Sequence, residues 1–376
     1  MSEKGKGKNQ LLYFPYLGLK EDHKDIQFGE VRIWRYSPQK LQEEIAEPAL
    51  RDAVMQRIGT NKTFSGVPLE GIGVVSVGKS DFRVLTDEEF ALADEGRLIL
   101  FIASLSKNNI VTKNSSKYDN HNWVTSDNFE LIVQNFDINS EYTAYEDGAI
   151  HQLLSGGWKV KDVEFRQPSF VHKPLIFGYD TEFAESLWKL KKRKKKLYSR
   201  ILKSTSVFFD AYRNSPHVSW DARMLLQTES FEILLNFRDR KEFKAKIEDY
   251  CKLENGGKDK RVRYKYERGN NTWETRTIKG YWADRFYTLR NHIIHGHKVG
   301  EKEYYFGSQR HFDVALMFYL LVLKRILNNA FDKKIFYDEI HWDKKEKKFL
   351  WDRETFLASI PSLTKLMNKI KILKGG

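Results

Sequence analysis

Between Tyr287 and Gly300 the chain reads YTLRNHIIHGHKVG, so Arg290, Asn291, His292, His295 and His297 crowd around Gly296 in a chain with ten histidines in all. An imidazole titrates near pH 6.5 when unperturbed and can give or take a proton. A guanidinium stays charged and contacts phosphate oxygens in a planar, two-point way. These are the groups that metal-free scission of RNA needs. When a 2′-hydroxyl attacks the adjacent phosphate, the reaction requires a base for the hydroxyl, an acid for the leaving oxygen and a cation for the charge that develops on the phosphoryl oxygens. One histidine does not act as base and acid in a single step, so such a site needs a second proton carrier.

The residues before this cluster must position it. Trp282, Phe286, Leu289 and Ile293 recur at helical spacing and predict a buried stripe. Arg290 falls beside that stripe, Asn291 and His295 share a face four residues apart, and Gly296 is placed to end the helix in the left-handed conformation. The partial negative charge at a helix carboxyl end favours a protonated imidazole. Two other readings of the histidines stand beside the chemical one. His292, His295 and His297 could ligate a metal, although their spacing matches no metal motif. They could also simply finish a helix and satisfy local hydrogen bonds.

The stretch LRNHIIHG resembles the signature of the HEPN superfamily of ribonucleases, in which an arginine, usually followed by a polar residue, precedes a histidine by a short fixed range of spacings. The HG ending after an aromatic-rich helix is most similar to the Apea-like HEPN group. Arg290 and Asn291 followed by His295 match the short spacing, and His297 fits the longest; His295 is favoured because it precedes the capping glycine. SFEILL, from Ser230 to Leu235, resembles the family's first-helix pattern, with Glu232 at the polar position. The resemblance covers roughly Asp180 to Asp332. It implies a catalytic set of Arg290, Asn291, Glu232 and His295 or His297, no metal and no cofactor, and a symmetric homodimer that brings two copies of Arg290 and His295 into one cleft. The products would be a 2′,3′-cyclic phosphate and a 5′-hydroxyl. It further implies a toxin or abortive-infection effector in antiphage defence, held inactive until a phage-derived trigger appears. The alternative is a non-catalytic RNA-binding or scaffold protein with a HEPN fold.

The rest of the sequence suits a polyanionic partner. Its 376 residues are enough for two domains, its 41% hydrophobic and 31% charged composition is that of a folded chain, and its formal net charge of +13 favours nucleic acid or an anionic surface. In KLKKRKKK, Lys189 to Lys196, only Leu190 interrupts the charge, so Lys191, Lys192, Arg193, Lys194, Lys195 and Lys196 form either a phosphate-binding patch or a solvated connector between domains. Lys260, Arg261, Arg263 and Lys265 are interleaved with Tyr264 and Tyr266, aromatics placed to stack on unpaired bases of single-stranded or looped RNA. The amino terminus MSEKGKGKNQ has no apolar core behind it, and the apolar run Val314 to Leu323 falls far short of the roughly 20 residues that span a bilayer. A single cysteine, Cys251, excludes an internal disulfide and suits a reducing compartment. The expectation is a cytoplasmic protein without a membrane partner.

Two textures divide the chain. Residues 1–179 predict an α+β domain that senses a trigger or restrains the nuclease. Strands are expected at VRIWRY from Val31, GIGVVSV from Gly71, LILFIAS from Leu98 and FELIVQNF from Phe129, and helices from Pro48 and after Thr86. No phosphate-binding loop of the P-loop type is present. Residues 180–332 predict an all-α HEPN-type bundle. Its helices start near Trp220, Glu242, Gly280 and Arg310, a basic helix precedes them, and Glu254 to Thr277 forms a long polar loop. Residues 333–376 predict an extension that packs on the bundle or across a dimer.

Overall fold

The computed structural model describes residues 9–19, 21, 24–78, 82–108, 124–139, 142–147, 158–159, 164–171, 178–254, 258–265 and 273–352. The chain divides into two compact units. One comprises Met1–Asn109, Asp119–Trp188 and Tyr212–Val218, and the other is built from Lys189–Ala211 and Ser219–Gly376.

The first unit contains β1 (Asn9–Gly18), β2 (Ile26–Phe28), β3 (Val31–Arg35), α1 (Pro38–Glu44), α2 (Pro48–Gly59), β4 (Asn61–Lys62), β5 (Ile72–Val77), α3 (Asp87–Asn108), β6 (Ile132–Phe136), β7 (Tyr142–Asp147), β8 (Trp158–Lys159) and β9 (Phe165–Arg166). Seven strands form an antiparallel sheet in the order β2-β3-β5-β1-β6-β7-β8, while β4 and β9 form a short parallel pair. Alternation sends Leu11 and Tyr13 of β1 into a cluster with Leu41, Leu50, Val54 and Ile58 of α1 and α2. α3 packs against β3 and β5. The central strand β1 was not legible because Pro15 interrupts it. Its pairing with β5 shifts register between Phe14 and Gly18, which absorbs a residue that has no N–H to donate.

The run LILFIAS is a correction: it lies inside α3, not in a strand. Every residue from Leu98 to Ser106 is buried, and an apolar run covered on all sides carries no period that tells helix from strand. What makes it a helix is its start. Thr86 Oγ1 accepts from the Glu89 N–H at 3.3 Å and Glu89 Oε2 accepts from the Thr86 N–H at 2.9 Å, a reciprocal cap.

The helices α4 (Thr181–Arg193), which crosses from the first unit into the second, α5 (Lys195–Ala211), α6 (Trp220–Leu235) and α7 (Arg240–Tyr250) are followed by strands β10 (Arg261–Lys265) and β11 (Trp273–Thr277). Then come α8 (Ile278–Ile294), β12 (Tyr305–Phe306), β13 (Gln309–Arg310), α9 (His311–Phe331), β14 (Glu339–Asp343) and β15 (Lys348–Asp352). This unit is mostly helical rather than all-α. Three two-stranded antiparallel sheets, β10-β11, β12-β13 and β14-β15, lie among its helices, and the first replaces part of the expected polar loop. Exposed cations alternate with Val262 and Tyr264 in RVRYK, and exposed Trp273 and Thr275 alternate with half-buried Glu274 and Arg276 in WETRT, a strand period that the surrounding polarity concealed.

α9 is the centre of the second unit. Tyr319 stacks on Phe208 of α5 at 4.2 Å and meets Phe231 of α6 at 5.5 Å, while Phe318 stacks on Trp282 of α8 at 4.4 Å. Among the described residues α9 is the helix long and apolar enough to cross a membrane, and 83% of its apolar window is buried inside the protein. After α9 the chain folds back on it. Asn328 binds the Ile335 and Phe336 backbone, and the buried Lys324 Nζ lies 2.6 Å from Asp338. Residues 353–376 lie outside the described residues.

α7, α8 and the β10-β11 hairpin are joined by charge. Arg240 donates to both Asp284 oxygens at 2.7 and 2.5 Å, and Lys244 Nζ lies 3.1 Å from Asp284 and 2.7 Å from Glu274. The side chains of Lys244 and Asp284 are each 3% exposed. Burial acts to raise the Glu274 carboxyl, but hydrogen bonds from Lys244, Arg276 and Tyr264 outweigh it and hold it at about 2.

Two outcomes follow for stability. Asp284→Ala takes the shared carboxylate away from the half-buried Arg240 and the buried Lys244 and is expected to cost about 3–5 kcal/mol in a denaturant titration; a loss below about 1 kcal/mol would show that the cluster is dispensable. His311, packed among Trp282, Phe286 and Phe306, is held by burial at about 3. In the unfolded chain it takes a proton near pH 6.5, so the stability it contributes above that pH drains away as pH falls toward 3, by about 2 kcal/mol at pH 5. The fall in melting temperature between pH 7 and 5 should therefore be smaller in His311→Phe than in the wild type, and an equal fall would count against it.

Candidate active site

α8 places the cluster. Thr277 caps its start by accepting from the Gly280 N–H at 3.1 Å, and Glu248 of α7 accepts from both the N–H and the hydroxyl of Thr277. A Cβ at Gly280 would lie 2.4 Å from Glu248 Oε1, so the glycine allows the two helices to approach. Trp282, Phe286 and Leu289 are buried as the expected stripe, but Ile293 is half-buried and Ile294 is 48% exposed. The helix emerges into solvent at its end, where Ile294 to Lys298 are all exposed.

Its end is the one the glycine predicts. Gly296 has φ +67°, the His297 N–H donates to the His292 carbonyl at 2.9 Å, and the Gly296 N–H donates to the Ile293 carbonyl at 3.1 Å. Those two bonds form a Schellman motif with His295 at the C-cap. The reversal swings His297 back over the last turn, so its ring centroid lies 5.5 Å from His292 and 6.2 Å from His295.

A cleft of about 410 Å³ opens there, lined by Arg240, Thr288, Asn291, His292, His297, Lys298 and Glu303. Two of the three imidazoles line it; His295 does not. His292 Nδ1 lies 3.0 Å from Glu303 Oε2, and the Gly300 N–H donates to the other Glu303 oxygen at 2.9 Å. The Gly300 N–H first, and then the His292 ring, keep the Glu303 carboxyl below its ordinary value.

Arg290 reaches this cleft through its neighbour. Its Nη1 donates to Asn291 Oδ1 at 3.1 Å, its other terminal nitrogen lies 3.4 Å from Glu232 of α6, and its guanidinium sits 5.3 Å from the Tyr287 ring centroid. Burial raises the Glu232 carboxyl above its ordinary value against the opposing pull of Arg290. Glu232, Arg290 and Asn291 are thus one chain of polar contacts that ends at a wall of the cleft. His292, Glu303, Arg240 and Lys298 are additions that sequence reading did not assign. Glu303 and Arg240 arrive from other elements, and only the HxxH-like proximity of His292 was open to view. Among the described residues no three His, Cys, Asp or Glu side chains converge as a metal-ligating group.

The basic stretches stand elsewhere in the second unit. Lys192, Arg193, Lys194, Lys195 and Lys196 are exposed at the junction of α4 and α5, and Lys191 is half-buried with its ammonium 5.9 Å from the Tyr198 ring. Arg193 pairs with Asp332 at 3.3 Å. Lys260, Arg261, Arg263 and Lys265 are exposed on or beside β10. Tyr264 is a correction: it faces inward, packs at a tilt against Tyr281 with ring centroids 4.4 Å apart and donates to Glu274 at 3.0 Å, so it is not offered to a base. Tyr266 lies outside the described residues. Compared with known proteins, the chain matches no family model, no curated protein and no solved structure.

Because a Cβ at Gly296 would meet nothing within 4 Å, Gly296→Ala isolates the cost of the left-handed backbone. A loss of about 1 kcal/mol in a denaturant titration is expected, and an unchanged stability would mean that the turn relaxes to another end.

Proposed function

We propose that the chain is a metal-independent endoribonuclease of the HEPN type, working as a homodimer and serving as a toxin or abortive-infection effector in antiphage defence. The observation that carries this reading is the meeting of Glu232 with Arg290. Two sequence matches to the family, one on α6 and one on α8, come together as an ion pair that bonds to Asn291, a residue lining a cleft that holds imidazoles. Neither match required the other, and a helix-finishing role for the histidines gives no reason for an arginine and a half-buried carboxylate to join them.

In this reading the RNA phosphate enters the cleft beside Asn291, where Lys298, which has no acidic partner among the described residues, and the Arg290 guanidinium supply positive charge. Glu232 and Tyr287 fix the arginine in orientation, which matters because a preset donor stabilises developing charge without reorganising. His297 faces the cleft and transfers the proton. His292, oriented by Glu303, is a second imidazole in the same cleft, so base and acid can be separate groups. A second copy of the chain would duplicate this set across a symmetric cleft. The 2′-hydroxyl loses its proton and attacks phosphorus, the P–O5′ bond breaks, and the leaving oxygen gains a proton.

The test is cleavage of one single-stranded RNA in excess EDTA by folded variants. Arg290→Ala and Arg290→Lys should both be strongly impaired, since a lysine keeps the charge but loses the planar fork. His297→Ala should lose a factor on the order of 10² or more, and His295→Ala much less. Products should end in a 2′,3′-cyclic phosphate. An active His297→Ala beside an inactive His295→Ala moves the site to the shorter spacing. Full activity in every variant, or no cleavage by the wild type, leaves the non-catalytic RNA-binding protein as the surviving reading.

A further inference from the structure

The β10-β11 hairpin sorts its charge by face. On the inner face Glu274 and Arg276 are engaged with each other and with Lys244 and Glu248, and Tyr264 is buried. The outer face carries Arg261, Arg263 and Lys265, directly opposite Thr277, Thr275 and Trp273. Among the described residues no acid of either strand sits on that face, and none of these three cations has an acidic partner. Trp273 is 58% exposed, although a tryptophan left in water forfeits more burial than any other side chain. The Arg263 guanidinium lies 5.1 Å from its ring centroid, holding one side of the indole.

We infer that this outer face is a binding surface for single-stranded RNA, with one base stacked on Trp273 and successive phosphates taken by Lys265, Arg263 and Arg261. This rests on the nuclease reading for the choice of RNA, and it gives that reading a substrate class. Alternate residues of a strand stand about 6.8 Å apart, close to the separation of neighbouring phosphates in an extended single strand, so a row of cations can follow a backbone without bending it. An indole adds nothing to a duplex, whose bases are already stacked, but it stacks on any unpaired base. An anionic membrane is a poorer partner: interfacial binding needs a wide apolar face, and here a single apolar ring is flanked by two threonines.

The experiment measures fluorescence anisotropy of the full chain with a labelled twelve-nucleotide 2′-O-methyl RNA, which has no free 2′-hydroxyl and is not cut. Trp273→Ala should weaken binding about tenfold without altering the salt dependence, and Trp273→Phe should restore most of it. Arg261→Ser, Arg263→Ser and Lys265→Ser combined should lower the slope of log affinity against log salt by about 2, three contacts at about 0.7 each. All these side chains are exposed, and circular dichroism checks that the variants fold. Lys192→Ser, Lys195→Ser and Lys196→Ser combined remove the same charge from the α4-α5 junction and should change the slope less. The inference is overturned if the wild type does not bind, if Trp273→Ala binds normally, if a duplex of the same length binds as tightly, or if the hairpin variants lose binding to phosphatidylserine vesicles rather than to RNA. Because nothing is cut in this assay, binding that depends on the hairpin in a chain without nuclease activity would sink only the proposed chemistry. Cleavage with hairpin-independent binding would sink only the surface.

Discussion

Asp284 is buried between two cations, and it sets much of the geometry of the second unit. Arg240 and Lys244 come to it from α7, Glu274 extends the cluster into the β10-β11 hairpin, and Asp284 itself lies on α8. Charges taken out of water are tolerated only when each is closely paired, so none of these elements can slide against another without stranding one of them. Arg240 lines the cleft, and Glu274 lies between Trp273 and Thr275 on β11. The same cluster therefore positions the candidate active site and the exposed basic face. Glu248 adds a second link by holding Thr277, the residue at which β11 becomes α8.

Apolar packing and charge divide the work along α8. Its first turns are clamped by Trp282 and Phe286 against Phe318 and Phe231, and its last turn runs clear of that core. A helix end with no neighbours would fray, since its final carbonyls have no partners. Here the Schellman turn at Gly296 and the Glu303 contact to His292 hold it. The result is a group of exposed or half-buried imidazoles of which His292 is held in place by Glu303.

The first unit is organised differently, by a sheet whose strands β1 and β5 are buried on both faces and covered by α1 and α2 on one side. Its titratable groups gather between β2, β3 and α1, where Arg32 and Lys40 pair with Asp25 and Glu44, and among the described residues that cluster contains no imidazole.

What the sequence determined by itself is what depends on neighbours a few residues apart. The Thr86 cap, the α8 stripe and its end at Gly296 were readable because hydrogen bonds within one turn and the 3.6-residue period are local properties. The start of α9 near Arg310 was readable from its apolar periodicity, but its burial was not, since by length and composition the 21-residue helix could also cross a membrane. The tertiary structure alone decided which sides were covered. It covered LILFIAS on all sides, turned Tyr264 inward and Trp273 outward, brought Glu232 to Arg290, and aimed His297 rather than His295 into the cleft. Each of these depends on groups distant in sequence meeting in space. A strand with alternating residues has two candidate faces, and a helix end has several polar side chains, but burial and ion pairing with remote elements select among them.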